Sequence, residues 1–450
     1  MKNTIKSIST GVVLTLAIGL FSINSWAALP IQKIQLPNGA LVYWVESPAI
    51  AMLDVQMDVD GGSRRDPPSK AGMASVTAAQ LEKGTAQRGN LSALDENALG
   101  EAWADLGAQF SASAGADRMS FSLRTLTEPN LLAKAVALAA RQIGQPAFLD
   151  AIWQRDKQKT LAALKESDTR PSTQARRAFN QAVYSGHPYG REVSADSVSS
   201  ISVQDMRAFY TAHVAACRAR ISMVGAISRA QVEQIATALL AQLPQTPCAS
   251  LPALPAVAEV APLTQAAQQN IAFDAAQAQV LVGQPGYKRN DPAFFPLLVG
   301  NYILGGGGFV SRLMTEVREK RGLTYGVFSS FGPGLHAGAF TVSLQTRPDQ
   351  AAQALAVTRQ VIQDFVTNGP TPLEVKAAKD NLVGGFALLI DSNRKLLGNI
   401  SNIAWNDLPL DYLDTWQATV EKITADDIKA AMAAKLQPDK MVTIVLGAKP

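Results

Sequence analysis

The feature that most constrains this chain is that it repeats itself. Phe121-Ser122-Leu123-Arg124-Thr125 recurs as Val342-Ser343-Leu344-Gln345-Thr346, at an offset of 221. Ile201-Ser202-Val203-Gln204-Asp205-Met206 recurs as Ile423-Thr424-Ala425-Asp426-Asp427-Ile428, and Ile221 to Ala226 recurs as Thr443 to Ala448, both at an offset of 222. Matched order at nearly constant spacing over more than a hundred residues implies two related halves. A chain of 450 residues also exceeds what one hydrophobic core usually organises.

Between Leu243 and Leu263 recurrent prolines forbid a continuous helix and favour an extended tether. The expected organisation is therefore a domain over 28–243, a linker over 244–264 and a second domain over 265–450. Strands are predicted at Ala40 to Val45 and Met52 to Val59, and helices at about Glu128 to Ile143, Ala151 to Glu166 and Arg229 to Leu243. Each half closes with a Ser- or Thr-capped helix and a strand ending in Gly-Ala. Such blocks predict an α+β fold, in which helices cover one face of a largely antiparallel sheet, present twice.

At the N-terminus, Lys2 and Lys6 precede thirteen apolar residues from Gly11 to Ile23, and small residues flank Trp26 before Ala28. This pattern predicts a signal peptide over 1–27, cleaved after Ala27, and an exported, periplasmic protein. The apolar run is short of the roughly 20 residues that span a bilayer, and no later stretch is long and apolar enough to do so. Without the leader, 39 basic residues face 37 acidic ones, which gives no steering toward nucleic acid. Cys217 and Cys248 lie thirty-one positions apart. In an oxidising compartment a disulfide between them is permitted without being required.

The richest segment runs Gly305-Gly306-Gly307-Gly308-Phe309-Val310-Ser311-Arg312-Leu313 and on to Arg318, Gly322 and Tyr325. A flexible glycine run leads into a helix that Gly322 terminates from the C′ position. Arg318 then sits at the helix end and Tyr325 at the start of the next strand, where both side chains can converge on one cleft. A phosphate loop is disfavoured, because no Gly-Lys-Ser/Thr follows.

This segment resembles the second-half signature of the pitrilysin/insulinase family of zinc peptidases, including its processing-peptidase branch. In the first half Leu36-Pro37-Asn38-Gly39, Gly61-Gly62-Ser63-Arg64, Lys83-Gly84-Thr85 and His187-Pro188-Tyr189-Gly190 fit the same family. The resemblance spans essentially the whole mature chain. It implies a clam-like pair of homologous domains, of which two copies enclose a peptide-sized chamber. It also implies that Arg318 and Tyr325 hold substrate, or the tetrahedral intermediate, facing the metal. His187 is by the family pattern a structural corner.

The chain departs from the family where the metal should be. The family's His-x-x-Glu-His places two imidazoles at i and i+4 with a glutamate between them as general base. Here the aligned positions are Ser75, Ala78 and Ala79, and none can ligate zinc or carry a proton at neutral pH. Counting back from Pro171, the third ligand falls at Ala162 or Ala163, with Glu166 the nearest acid. The family's Asn-Ala on the substrate edge reads Ser111-Ala112. The three histidines, His187, His213 and His336, offer no i, i+4 pair.

The expectation is a chain without zinc or any other cofactor of its own. It would serve as the non-catalytic, substrate-binding subunit of a heterodimeric zinc metallopeptidase whose partner carries His-x-x-Glu-His and the zinc, with short or unfolded peptides as substrates. A stand-alone peptide-binding or scaffold protein of the same fold is the alternative.

Overall fold

The computed structural model describes residues 30–449, so the predicted leader over 1–27 lies outside the described residues. The first half forms a six-stranded sheet from β1 (Gln32–Gln35), β2 (Leu41–Glu46), β3 (Met52–Val59), β4 (Gln109–Ala114), β5 (Met119–Leu126) and β6 (Arg220–Gly225), in the order β1-β2-β6-β3-β5-β4. The second half forms a five-stranded sheet from β7 (Ala267–Ile271), β8 (Ala278–Pro285), β9 (Val327–Phe331), β10 (Ala339–Thr346) and β11 (Val442–Leu446), ordered β7-β11-β8-β10-β9. Remove β1 and the two orders coincide. So do the directions: β2 with β6 and β7 with β11 are parallel, and the other pairings are antiparallel. The duplication read from short sequence matches is thus a duplication of topology.

The helices follow the same plan. The first half carries α1 (Met73–Gln80), α2 (Glu96–Asp105), α3 (Pro129–Gly144), α4 (Asp150–Ser167), α5 (Pro171–Tyr184), α6 (Ala195–Ser199), α7 (Val203–His213) and α8 (Arg229–Leu240). The second carries α9 (Phe294–Asn301), α10 (Ala351–Asn368), α11 (Pro372–Gly384), α12 (Asn393–Trp405), α13 (Tyr412–Lys422) and α14 (Ala425–Lys435). At the repeated Ser202 and Thr424 positions both hydroxyls accept a hydrogen bond from the backbone three residues on, and Asp205 and Asp427 return one, closing a capping box on α7 and on α14. Inward residues of β3 and β5 (Leu53, Val55, Leu123) pack with Val136, Met206 and Ile235 in one core. In the other core Val280, Val282 and Val342 pack with Ile362, Phe365 and Ile428.

Beyond the helices that cover one face of each sheet, as the α+β reading expects, the two halves exchange a helix. Helix α5 leaves the first half and lays Ala175, Phe179 and Val183 on Val442, Ile444 and Leu446 of the second sheet. Helix α12 reciprocates: Leu396, Leu397 and Ile400 share a buried cluster with Tyr43, Val45 and Val224 of the first sheet. Burying a Leu, Ile, Val or Phe side chain contributes ~1.5–3 kcal/mol, so each exchanged helix ties the halves together strongly.

Polar groups reinforce α12. The carboxylate of Asp58 on β3, 1% exposed, accepts hydrogen bonds from Gln56 (2.9 Å), Ser120 (2.5 Å), Arg118 (2.9 Å) and, across the interface, Ser401 of α12 (2.8 Å). The proline-rich stretch after α8 runs to β7 with a single short turn, Cys248–Ser250. There Cys248 is joined to Cys217 by a disulfide with a Cα–Cα distance of 5.6 Å, which decides the open question about the two cysteines. His187 acts as a corner and as a clamp. Its Nδ1 accepts from the Tyr189 amide (3.1 Å) and its Nε2 meets the Ala258 carbonyl of that stretch (3.0 Å). Burial, together with neighbouring His336, lowers its basicity.

Candidate functional site

Helix α1 is the place to look for hydrolytic chemistry. Asp66, 3% exposed, caps its start by accepting from the Gly72 (2.7 Å) and Ala74 (2.9 Å) amides. Burial pushes that carboxyl up to about 6, against the pull of those amides and Arg191. Ser75 and Ala79 lie four residues apart on the exposed side of the helix, while Ala78 is buried. The surface on which two imidazoles would stand is therefore present and carries one hydroxyl and one methyl. A zinc ion does not fit this donor set.

The structure brings a different residue of α4 beside α1: Gln80, at the end of α1, donates to Asp156 of α4 at 3.0 Å. Ala162 and Ala163 are exposed six and seven residues further along α4, about 9–11 Å away. Glu166 is further still and pairs with Arg170. Asp156 was not singled out from sequence because the count ran from Pro171, whereas its nearness to α1 is a tertiary contact. It is not a free ligand: burial would raise its pKa, but hydrogen bonds from Arg155 and Gln80 outweigh that and hold it below the usual carboxylate range. Among the described residues no group of three or more His, Cys, Asp or Glu is arranged to hold a metal. Beside α1, the Ala112 amide of edge strand β4 donates to Glu82 at 3.1 Å.

The second half keeps an open surface. The glycine run is not a flexible loop, since Tyr302–Gly306 continues α9 as a π-helical turn and Gly308–Val310 adds a 3₁₀ turn. Gly305 is buried, and a Cβ there would lie 2.6 Å from the Ser329 backbone nitrogen. The glycine thus allows β9 to approach. Gly306, Gly307 and Gly308 carry the chain round to Arg312, whose guanidinium grips Glu374 in two-point fashion (2.6 and 2.7 Å). Arg318 lies in the irregular helix Met314–Glu319, its guanidinium 4.7 Å from the centroid of the exposed Phe309 ring. Tyr325, 84% exposed, lines a cleft of about 760 Å³ between α5 and the open face of β8, β9 and β10. Arg318 is not among the residues lining that cleft. The expected convergence of the two side chains on one cleft is therefore not seen there.

Residues 42–197 match the family model described as insulinase (peptidase family M16), and residues 200–382 match the model described as peptidase M16 inactive domain. A solved structure titled as a peptidase M16 inactive domain, from Pseudomonas fluorescens, superposes with a TM-score of 0.87 at 33% identity, covering 93% of this chain and 98% of that one. The chain belongs to the peptidase M16 family. An uncharacterised zinc protease of Streptomyces coelicolor is 24% identical over 89% of this chain and 86% of its own length. The non-peptidase homologue YmxG of Helicobacter pylori is 22% identical over 97% and 98%. Helix α1 falls in the first matched M16 region, and the glycine run, Arg318 and Tyr325 fall in the inactive-domain region. No helix among the described residues is long and apolar enough to cross a membrane. Sequence reasoning missed α5 as a wall of the cleft. Its signals were Pro171 at the first helical position and apolar Ala175, Phe179 and Val183 at four-residue spacing.

Proposed function

We propose that this M16 chain is an exported, non-catalytic subunit that binds short or unfolded peptides for a zinc-bearing M16 partner and supplies Arg318 and Tyr325 to the partner's active site. The observation that carries the reading is α1, where Ser75 and Ala79 occupy the positions of a metal-binding pair on its exposed side and buried Ala78 that of the general base. The matched inactive-domain model and the non-peptidase relative support it. The Cys217–Cys248 disulfide fits an oxidising compartment, in line with the sequence of the leader.

The division of labour has a physical basis. Zinc on the partner would polarise the scissile carbonyl, and a guanidinium and a phenol from the facing wall would donate to the developing oxyanion. The test is to purify the chain alone and with a His-x-x-Glu-His M16 chain encoded beside it. Peptide cleavage is expected only from the mixture. Cleavage by the isolated chain refutes the proposal.

A second reading is a stand-alone peptide-binding protein that uses the Tyr325 cleft, where α5 of the first half faces β8, β9 and β10 of the second. It predicts a homo-oligomer that binds peptides unaided, with no catalytic M16 chain in its gene neighbourhood.

A further inference from the structure

The cleft beside Tyr325 has an unusual charge balance. Of its lining residues only Arg176, on α5, is charged, and no carboxylate lines it. Arg176 is exposed and makes neither an ion pair nor a side-chain hydrogen bond with any described residue. Its neighbour Arg177, on the same helix, is paired with Asp168 at 2.8 Å and lies 3.8 Å from Glu192. One guanidinium of α5 is thus paired with carboxylates of the protein, and the one at the cleft is left to solvent.

The floor is neutral and equally unpartnered. Gln279, Ser330, Thr341, Ser343 and Gln345 alternate with buried residues along β8, β9 and β10, and none makes a side-chain hydrogen bond to a described residue. Aromatic surface completes the lining with Tyr325, 84% exposed, and Phe328, 51% exposed. The volume of about 760 Å³ falls within the ~300–1,000 Å³ of sites that enclose a small ligand. It therefore suits a few residues of an extended peptide.

We propose that this cleft selects peptide segments carrying an acidic side chain, with Arg176 pairing the carboxylate, the amide and hydroxyl floor serving the peptide backbone, and Tyr325 with Phe328 taking an adjacent apolar residue. The proposal rests on the peptide-binding reading and adds a preference to it. A guanidinium free of internal partners gains an ion pair without losing one, whereas a basic peptide meets repulsion with no acid to offset it. The pair forms at an exposed site, so the expected preference is modest, about two- to five-fold, and it weakens with salt.

The test is fluorescence anisotropy with three labelled decapeptides that differ only in a central Asp, Asn or Lys. They are titrated with the full mature chain, alone and with its catalytic partner, at low and high sodium chloride. The expected order is Asp tighter than Asn by about two- to five-fold at low salt, with Lys weakest, and the spread shrinks at high salt. Arg176→Gln should erase the Asp-over-Asn ratio, and Arg177→Gln should keep it. Equal Asp and Asn affinities, or a ratio that survives Arg176→Gln, overturn the acidic preference while leaving peptide binding intact. Failure of all three peptides to bind in either setting refutes the peptide-binding reading and this proposal with it.

Discussion

Replacing Arg118 by methionine tests how the two halves are held. Its guanidinium bonds Asp58 at 2.9 Å and Ser401 of α12 at 2.7 Å, and sits 5.7 Å from the Trp405 ring centroid. Methionine keeps an apolar stem but leaves the Asp58 carboxylate, 1% exposed, with only the neutral donors Gln56, Ser120 and Ser401. Breaking a buried ion pair costs ~3–5 kcal/mol. Because the Arg118 side chain is 26% exposed, part of the site is wet and the expected loss is nearer ~2–3 kcal/mol. Adding Asp58→Asn removes the stranded charge and should restore ~1–2 kcal/mol of that loss. Urea unfolding followed by tryptophan fluorescence reads the effect, since Trp405 borders the network, and the midpoint should fall by roughly 0.5–1 M. A loss under ~0.5 kcal/mol, or a double variant weaker than the single one, refutes the view that a desolvated charge pins α12 to the first sheet.

Cys217→Ser with Cys248→Ser opens a loop of about thirty residues and should cost ~3–4 kcal/mol in urea unfolding under oxidising conditions. No difference from the parent in the absence of reductant would show the thiols unpaired. Acid should weaken the grip of Arg312 on Glu374. Burial raises that carboxyl, but Arg312 and the Thr371 cap outweigh it and hold it near about 2, so the stability it adds above about pH 4.5 is lost on descent toward 2, ~1–2 kcal/mol after solvent screening. Asp66 acts in the opposite sense. With its pKa raised to about 6, its stability is full below about pH 4 and fades as the pH climbs to 6, a slope that Asp66→Asn should remove from thermal melts. In the reconstituted complex Arg318→Ala and Tyr325→Phe should each lower kcat, by up to about 10²–10³-fold, without dissociating the pair on gel filtration.

The repeated capped helices and Gly-Ala strands were legible because each is a local pattern of a few residues. From them followed the twofold architecture, whereas the place of Ser75, Ala78 and Ala79 on one short helix came from the resemblance to the peptidase family. The exchange of α5 and α12 was not legible, because periodicity shows that Ala175, Phe179 and Val183 share an apolar face but not that Ile444, some 260 residues on, covers it. The glycine run misled for a similar reason: Gly305 is needed for the approach of Ser329, a tertiary contact that looks like flexibility in one dimension. Asp156 was missed because its nearness to α1 comes from one side-chain contact between residues 76 positions apart.

The most direct measurement is the metal content of the mature chain, purified without chelator and dialysed against zinc-containing and then zinc-free buffer. Less than about 0.1 zinc per chain is expected, because two methyl groups and one hydroxyl supply no ligand set for it. One zinc per chain that survives dialysis and is lost on Asp156→Ala would contradict the account.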